Sequence, residues 1–180
     1  GFGLLEVPLN SPEPLQSISA IAHAHPQALV GAGTVLRVEQ VHAVHAAGGR
    51  LVVSPNFNAE VVRAAVALDM VCLPGVMTPT EAFAALDAGA HGLKLFPAEA
   101  ISPAMVKAMR AVLPKTAKVL AVGGVTPQNM GAYVAAGIDG FGMGSALYAP
   151  GRSVDQVKQS AIEFIAAYAG NTPATGPKHS

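Results

Sequence analysis

The sequence predicts an α/β fold, a (β/α)8 TIM barrel whose first strand is missing from this chain. Short apolar runs of strand character alternate with alanine-rich segments of helical period. The runs end at residues 9, 33, 55, 75, 97, 124 and 145, so one structural unit recurs at an even interval. Parallel strands that are each followed by a helix close most economically into a barrel, and this chain supplies seven of them.

Each predicted strand is short, apolar and bounded by glycine, proline or polar residues, which is typical of buried parallel strands. In chain order the predicted strands are Leu4–Leu9, Leu29–Gly33, Leu51–Pro55, Val71–Gly75, Gly92–Pro97, Val119–Gly124 and Gly140–Ser145. The last two end in glycine-rich segments, and barrels often bind phosphate with the loops after strands 7 and 8. This assignment makes the missing strand the first one.

Capping residues mark the boundaries of the predicted helices, the first of which covers residues 18–25. Thr78-Pro79 and Thr126-Pro127 each place a threonine before a proline, a pattern typical of a helix start. Ala-Gly pairs just before the next strand indicate helix ends; they are Ala47-Gly48, Ala88-Gly89 and Ala136-Gly137. Residues 1–169 are therefore predicted to form one N-terminally incomplete barrel domain. Residues 170–180 have few large apolar side chains, so we expect a disordered tail.

Composition excludes several classes of function. Of the 180 residues, 11 are basic and 11 are acidic, with no basic cluster, so we expect neither nucleic acid nor a membrane as a partner. The single cysteine, Cys72, provides no disulfide framework. Histidine pairs at His23/His25 and His42/His45 have spacings that could serve a metal, but they lie in predicted helices without a completing ligand. We expect a cytoplasmic protein that uses no metal and no cofactor.

Lys94 is the residue that most strongly indicates chemistry, because it is the only charged side chain in the apolar run Gly92–Pro97. A lysine held among apolar groups has a lowered pKa, and its neutral amine can attack a carbonyl group to form a Schiff base. The alternative is that Lys94 extends its amine to solvent or pairs with an acidic residue.

Glu6 is the predicted partner of Lys94. Its neighbours Leu5 and Val7 would face the helices, which leaves Glu6 pointing into the barrel. Schiff-base chemistry adds and removes water and moves protons, so a carboxylate close to the lysine is expected. The alternative interpretation is an internal ion pair between Glu6 and Lys94 without a catalytic role.

Three further groups lie at predicted strand ends, where barrel active sites gather. Gly33 and Thr34 offer backbone N–H groups and a hydroxyl suited to a carboxylate, although Thr34 could equally be a helix cap. Phe96 lies two residues after Lys94 and would also point into the barrel. It could exclude water from the site, or it could be an ordinary core residue. Two glycine-rich strand ends could approach an anion closely; they contribute Gly123, Gly124, Gly144 and Ser145.

Taken together, five segments resemble the class I 2-keto-3-deoxy-6-phosphosugar acid aldolases, and the resemblance covers nearly the whole chain. The segments are Leu5-Glu6-Val7-Pro8-Leu9-Asn10-Ser11-Pro12, Gly31-Ala32-Gly33-Thr34-Val35-Leu36, Leu93-Lys94-Leu95-Phe96-Pro97, Ala121-Val122-Gly123-Gly124-Val125 and Gly142-Met143-Gly144-Ser145. The family also has an arginine on its first strand, which has no counterpart in this chain.

The resemblance implies a role for each matching residue. Lys94 would condense with the keto group of pyruvate, and Glu6 would shuttle protons during carbinolamine formation and carbon–carbon cleavage. Gly33 and Thr34 would bind the substrate carboxylate, with further pocket residues and the phosphate-binding loops around them; the pocket residues are Phe96, Pro74 and Asn10, and the loop residues are Gly123, Gly124, Gly144 and Ser145. The resemblance also implies a homotrimer that acts on a small phosphorylated keto acid.

The segment after Glu6 bears on the choice of substrate. The gluconate branch of the family has a pattern like E-V-T-L-R-T, whereas this chain has Asn10 where that pattern has arginine. Together with Ser54-Pro55-Asn56, this segment resembles the galactonate branch, which cleaves 2-dehydro-3-deoxy-6-phosphogalactonate to pyruvate and D-glyceraldehyde 3-phosphate. The alternatives are the same chemistry on 2-dehydro-3-deoxy-6-phosphogluconate or 4-hydroxy-2-oxoglutarate, and a phosphate-binding barrel without catalysis.

Overall fold

A computed structural model describes residues 2–171 and contains the strands and helices in the predicted order. The strands are β1 (Leu4–Pro8), β2 (Leu29–Gly33), β3 (Leu51–Val53), β4 (Val71–Leu73), β5 (Gly75–Val76), β6 (Leu93–Leu95), β7 (Val119–Val122) and β8 (Gly140–Gly142). The helices are α1 (Pro14–Ala24), α2 (Val38–Ala46), α3 (Ala59–Ala67), α4 (Pro79–Asp87), α5 (Pro103–Val112), α6 (Met130–Ala135) and α7 (Val154–Asn171), with a short 3-10 helix at Ala98–Ala100.

The single strand predicted at Val71–Gly75 is divided into β4 and β5 by Pro74. Proline has no N–H group to donate to a ladder, so the regular pairing stops there. Hydrogen bonds nevertheless continue past the break: the His91 N–H donates to the Cys72 carbonyl (3.1 Å) and the Lys94 N–H to the Pro74 carbonyl (2.9 Å). The segment from His91 through β6 therefore bonds alongside both β4 and β5, which together correspond to the one predicted strand. The seven predicted β/α units are confirmed.

All strand pairs are parallel, in the orders β1-β2-β3-β4 and β5-β6-β7-β8. The carboxyl ends of the strands consequently lie at one end of the barrel. Within residues 2–171, β1 and β8 are not paired with each other, so the barrel wall is open between them. A cavity of about 500 Å3 lies there, lined by Leu4 of β1, Gly140 and Phe141 of β8, and the interior side chains of Leu73 and Leu120.

Two apolar layers hold the strands and position the inward-facing residues. Between the strands and helices, Leu93 and Leu95 of β6 are fully buried against residues of α5 and α6. Inside the barrel, Leu51, Val53 and Leu73 form a smaller cluster. Burying each large apolar side chain contributes roughly 1.5–3 kcal/mol. Because its two neighbours on β6 face the helices, Lys94 faces the interior, as its parity predicted.

The predicted helix ends are largely confirmed. Helices α2, α4 and α6 end at the three predicted Ala-Gly pairs, and each glycine there has a positive φ. Thr78 caps α4 with its side chain. The prediction of Thr126 as a helix cap was wrong, because α6 starts at Met130 and the Thr126 N–H donates to the Asn129 side chain. Helix α7 extends through Asn171, two residues into the predicted tail, and residues 172–180 lie outside the described residues.

Candidate active site

Lys94 lies on β6, is only 7% exposed, and has its side chain inside the barrel. Burial among apolar atoms lowers the pKa of its amine, and the nearby Glu6 carboxylate acts in the opposite direction. The amine also lies 4.6 Å from the centroid of the Phe96 ring. A lysine with a lowered pKa carries a larger fraction of neutral, nucleophilic amine at neutral pH.

Glu6 lies on β1, paired with Gly31 of β2, and its carboxylate rests against Gly33. A methyl group at Gly33 would overlap with a Glu6 oxygen, so a larger residue at this position would require the Glu6 carboxylate to move. The residue nevertheless remains exposed to solvent. The protein atoms that surround its carboxylate still raise the pKa of Glu6 by removing water, an effect that Lys94 partly offsets.

Glu6 and Lys94 influence each other electrostatically without forming a close ion pair. The coupling appears in the pKa shifts of both groups. The ion pairs within 4.0 Å among the described residues are those of Asp139 with Arg110 and Lys118, at the opposite end of the strands. The structure therefore brings the two residues into one site but does not support the alternative of a simple internal salt bridge.

The turn after β2 holds Thr34 in a left-handed backbone conformation, with a φ of 60°. Two hydrogen bonds fix the next residue: the Val35 N–H donates to the Val53 carbonyl (3.2 Å), and the Ser54 hydroxyl donates to the Val35 carbonyl (2.7 Å). Ser54 is buried, with 2% exposure. This turn lies beside the Glu6 carboxylate, where the sequence predicted carboxylate binding.

The three predicted pocket residues occupy different positions. Phe96 follows β6 and contacts the Lys94 amine with its ring. Pro74 is buried and accepts a hydrogen bond from the Lys94 N–H, so it fixes the backbone of the lysine. Asn10 is exposed in the turn after β1, which the hydrogen bond from the Leu9 N–H to the Gly33 carbonyl (2.9 Å) holds against β2.

The predicted glycine-rich loops follow the neighbouring strands β7 and β8. Gly123 and Gly124 both have positive φ values, 98° and 66°, which favour glycine. The backbone N–H groups of Gly123, Gly124, Gly144 and Ser145 have no hydrogen-bond acceptor among the described residues. Two adjacent loops thus present unsatisfied donors at the carboxyl end of the barrel, which suits an anion.

Other reactive groups do not form a site. Among residues 2–171, no group of three or more histidine, cysteine, aspartate or glutamate residues could hold a metal ion. Burial raises the pKa of the Cys72 thiol to about 12, which makes it a poor nucleophile. In the described part of the chain, every helix is too short or too polar to cross a membrane.

Comparison with known proteins identifies the family of this chain. The model of the family described as KDPG and KHG aldolase matches residues 1–165. The chain belongs to this aldolase family. A relative from Escherichia coli (strain K12), 2-dehydro-3-deoxy-6-phosphogalactonate aldolase, is 51% identical over 169 residues, which cover 93% of this chain and 82% of the relative.

Solved structures give the same relationship. The native KDPGal structure is 50% identical, with a TM-score of 0.93, and the match covers 95% of this chain and 84% of that one. A KDPG aldolase from Legionella pneumophila, with pyruvate captured at low pH as a covalent carbinolamine intermediate, is 29% identical with a TM-score of 0.77. That match covers 96% of this chain and 82% of the other. The barrel fold predicted for this KDPG and KHG aldolase family member is thereby confirmed.

Three residues of this aldolase were not predicted to support the site. Ser54 fixes the turn after β2, Asn129 bonds within the loop after β7, and Tyr133 reaches the loop after β6. Ser54 follows an apolar run and Asn129 follows a threonine and a proline, so both had a local signal. Tyr133 had none, because its hydroxyl partners are 32 and 35 residues away.

Proposed function

We propose that this protein is a class I aldolase that cleaves 2-dehydro-3-deoxy-6-phosphogalactonate to pyruvate and D-glyceraldehyde 3-phosphate through an imine at Lys94. The observation that carries the proposal is the buried Lys94 amine with a lowered pKa, electrostatically coupled to Glu6 at the carboxyl end of the barrel. The covalent carbinolamine intermediate of pyruvate captured in the Legionella pneumophila relative supports this class of chemistry.

Imine formation requires proton transfers that Glu6 can make. The neutral Lys94 amine attacks C2 of the keto acid, and the nitrogen proton passes to the keto oxygen, giving a carbinolamine. Protonated Glu6 then gives its proton to the departing hydroxyl, which leaves as water, and a cationic imine remains. The raised pKa of Glu6 keeps part of this carboxyl protonated at higher pH than is usual, so one group can act as both acid and base.

Carbon–carbon cleavage uses the imine as an electron sink. Glu6, now ionised, takes the proton of the C4 hydroxyl; the C3–C4 bond breaks, its electrons move into the imine to form an enamine, and the aldehyde leaves. Glu6 returns the proton to C3, and water then hydrolyses the imine. The products are pyruvate and the free amine, and Glu6 recovers its proton.

We assign the remaining predicted residues to substrate binding. The Gly33–Thr34 turn would bind the substrate carboxylate, because it lies next to Glu6 and its backbone is held rigidly. Phe96 and Pro74 would shape the pocket around the lysine, and Asn10 would contact substrate at the rim. These contacts place C2 near the amine, and orientation of this kind lowers the barrier for attack.

The phosphate would bind to the N–H groups of the two glycine-rich loops, from Gly123, Gly124, Gly144 and Ser145. Binding energy from a distant phosphate can be used to hold the reacting bond in position. The substrate would therefore span the mouth of the barrel from β2, through Lys94, to the loops after β7 and β8.

The choice of the galactonate substrate rests on two observations. The relative named for that substrate is 51% identical, whereas the Legionella pneumophila KDPG aldolase is 29% identical. The turn after β1 also carries Asn10, an uncharged side chain at the rim of the site. The second candidate is cleavage of the gluconate epimer or of 4-hydroxy-2-oxoglutarate by the same chemistry.

Relative cleavage rates test this choice. The purified protein is given each phosphorylated epimer separately, and aldehyde release is followed by a coupled reduction of D-glyceraldehyde 3-phosphate. The two substrates differ only at one hydroxyl, so the comparison isolates recognition of that group. We expect a higher kcat/KM for the galactonate epimer. A higher kcat/KM for the gluconate epimer would overturn the substrate assignment and leave the imine mechanism in place.

We further propose a homotrimer in the cytoplasm. The support for a trimer is the family resemblance, and sizing by light scattering would test it. The support for the cytoplasm is the chemistry of the substrate, since a phosphorylated sugar acid does not diffuse through membranes, together with the single buried thiol of Cys72.

A further inference from the structure

Two loops of the proposed site pack directly on each other. We define the lysine loop as residues 96–101, which follow β6, and the glycine loop as residues 123–128, which follow β7. A methyl group at Gly123 would lie 3.5 Å from both the Phe96 ring and the Ala98 nitrogen. A methyl group at Gly124 would lie 2.7 Å from the Glu99 Cβ atom. A shift in either loop therefore has to be accommodated by the other.

The start of α6 is bonded to both loops. Asn129 donates its side-chain amide to the Gly124 carbonyl (2.8 Å), and its side-chain oxygen accepts from the Thr126 N–H (2.9 Å). Tyr133 lies one helical turn later. Its hydroxyl donates to the Ala98 carbonyl (2.8 Å), with a second, shared contact to the Ile101 carbonyl (3.2 Å).

Tyr133 makes the only side-chain hydrogen bonds to the lysine loop from α6 that are seen in residues 2–171. Its ring is buried, with 8% exposure, so water does not readily replace the hydroxyl. Loss of the hydroxyl would leave two carbonyls of the lysine loop without this donor. The lysine loop begins with Phe96, whose ring contacts the Lys94 amine. A continuous set of contacts thus joins the glycine loop to the reactive lysine.

We propose that Tyr133 is a positioning residue that couples phosphate binding on the glycine loop to the placement of Phe96 and Lys94. This inference rests on the proposed function, which assigns phosphate to the glycine loop and the imine to Lys94. A phosphate that orders the glycine loop would also order the start of α6 through Asn129. Tyr133 would then hold the lysine loop, so that a phosphorylated substrate reacts faster than its unphosphorylated form.

The test compares Tyr133→Phe with the unaltered protein on two substrates, 2-dehydro-3-deoxy-6-phosphogalactonate and the same sugar acid without its phosphate. The substitution removes the hydroxyl and keeps the ring. We expect kcat for the phosphorylated substrate to fall roughly three- to tenfold, the usual effect of one lost hydrogen bond. Turnover of the unphosphorylated substrate should change less than about twofold, because it gains nothing from the coupling.

The chain offers a matched control in Tyr168→Phe. The Tyr168 hydroxyl also donates to a backbone carbonyl, that of Asp139 (2.9 Å), and both tyrosine rings pack edge to face on Phe141. Tyr168 lies on α7 and bonds to the opposite end of the strands from the two loops. We expect this control to leave the ratio of the two kcat values unchanged.

A second variant keeps the inference testable if Tyr133→Phe folds poorly. Asn129→Ala removes the side-chain hydrogen bonds that join the glycine loop to the start of α6. It should lower the ratio of kcat for the phosphorylated substrate to kcat for the unphosphorylated one. The double variant should lower the ratio no further than Asn129→Ala alone, since both side chains serve one coupling. A ratio equal to that of the unaltered protein in either single variant, or equal losses on both substrates, would overturn the proposal.

Pyruvate trapping by borohydride separates this failure from failure of the proposed function. Pyruvate has no phosphate, so imine formation at Lys94 does not depend on the coupling. An unaltered protein that forms no imine contradicts the proposed function itself. Normal trapping in Tyr133→Phe together with an unchanged substrate ratio contradicts only the role of Tyr133.

Discussion

At the scale of single residues, the amine of Lys94 is held among apolar atoms at a cost to stability. Charged amines lose hydration on burial, and the Glu6 carboxylate, which acts on Lys94 electrostatically, does not form a close ion pair with it. Functional groups are often retained at such a cost, so substitution by a residue suited to the core can stabilise the fold.

We predict that Lys94→Met stabilises the protein while abolishing turnover. Turnover is measured with Glu6 in place, whereas stability is measured in a Glu6→Gln background, so that titration of Glu6 does not contribute to the difference in unfolding free energy. At pH 7 the gain in unfolding free energy should be about 1 kcal/mol, which corresponds to roughly 2–4 °C in Tm. Chemical denaturation at a series of pH values measures the gain.

The pH dependence of this gain has a definite sign. The pKa of Lys94 is lower in the folded state than its unfolded value of 10.5, so the charged amine is penalised fully below the folded pKa. The cost of burying the charged amine disappears as pH rises from the folded pKa towards 10.5. The increase in unfolding free energy on Lys94→Met should therefore become smaller over that range. The exposed Lys115, replaced by methionine in the same background, is the surface control and should not stabilise the protein at pH 7. A stability gain for Lys94→Met that increases with rising pH would contradict a lowered pKa of Lys94 in the folded protein.

Gly33→Ala tests the close approach of Glu6 to the turn after β2. The added methyl group would occupy the position of the Glu6 carboxylate, which must then move. A displacement of about 1 Å at a catalytic group can cost roughly 100-fold in rate, so we expect kcat to fall by at least that factor. Gly170→Ala, where no atom lies within 4 Å of the added methyl, is the control and should retain full kcat. Unchanged turnover in Gly33→Ala would show that Glu6 does not act from this position.

The predictability of single residues depended on how local their partners are. The inward direction of Lys94 and Glu6 followed from strand alternation, which needs only neighbouring residues. Ser54 and Tyr133 bond to carbonyls that are 19 and 35 residues away, and these bonds exist only once the barrel has formed. Sequence patterns therefore predict the direction of a side chain on a strand, but not a hydrogen bond between residues that only the fold brings together.

At the scale of elements, strand positions were predictable because apolar runs and their flanking residues coincide with the ladder. The Val71–Gly75 strand was predicted as continuous, although Pro74 within it already signalled an interruption. The helix start at Thr126 was wrong because Asn129 offers a side-chain acceptor three residues later, which turns the chain before α6 begins. Whether Thr126 or Asn129 caps the helix therefore depends on the conformation of the loop around them.

Thr78→Ala tests the one predicted helix cap that was confirmed. The Thr78 hydroxyl accepts from the Glu81 N–H, and Glu81 accepts in return from the Met77 and Thr78 N–H groups. Loss of such a cap costs about 1 kcal/mol of unfolding free energy, which denaturation would measure, with kcat unchanged. The exposed Thr80, replaced by alanine, should change stability by less than about 0.5 kcal/mol. Equal effects of the two substitutions would contradict the capping role.

The same cap gives a pH dependence. Hydrogen bonds from the Met77 N–H and from Thr78 lower the pKa of Glu81. A carboxyl group whose pKa is lower in the folded state contributes stability above its ordinary value of 4.5, and loses it as pH falls through the lowered pKa. Because Thr78 supplies part of this lowering, the cost of Thr78→Ala should shrink as the solution is acidified below pH 4.5.

At the scale of the whole molecule, the parallel order of the strands assembles the site. Glu6 and the Gly33 turn come from β1 and β2, while Lys94 and the glycine-rich loops come from β6, β7 and β8. The seven-unit repeat predicted this arrangement, because parallel strands place their carboxyl ends together. The prediction of a missing first strand also implied an opening between β1 and β8, whereas the cavity inside it required the three-dimensional structure to describe.

Borohydride reduction in the presence of pyruvate tests whether Lys94 is the nucleophile. The protein is reduced, its intact mass is measured, and the modified peptide is mapped; Lys94→Met serves as the control. We expect one pyruvate-derived adduct located at Lys94 and none in the control. A folded protein that gains no adduct, or gains it at another lysine, would contradict the assignment of Lys94 as the nucleophile.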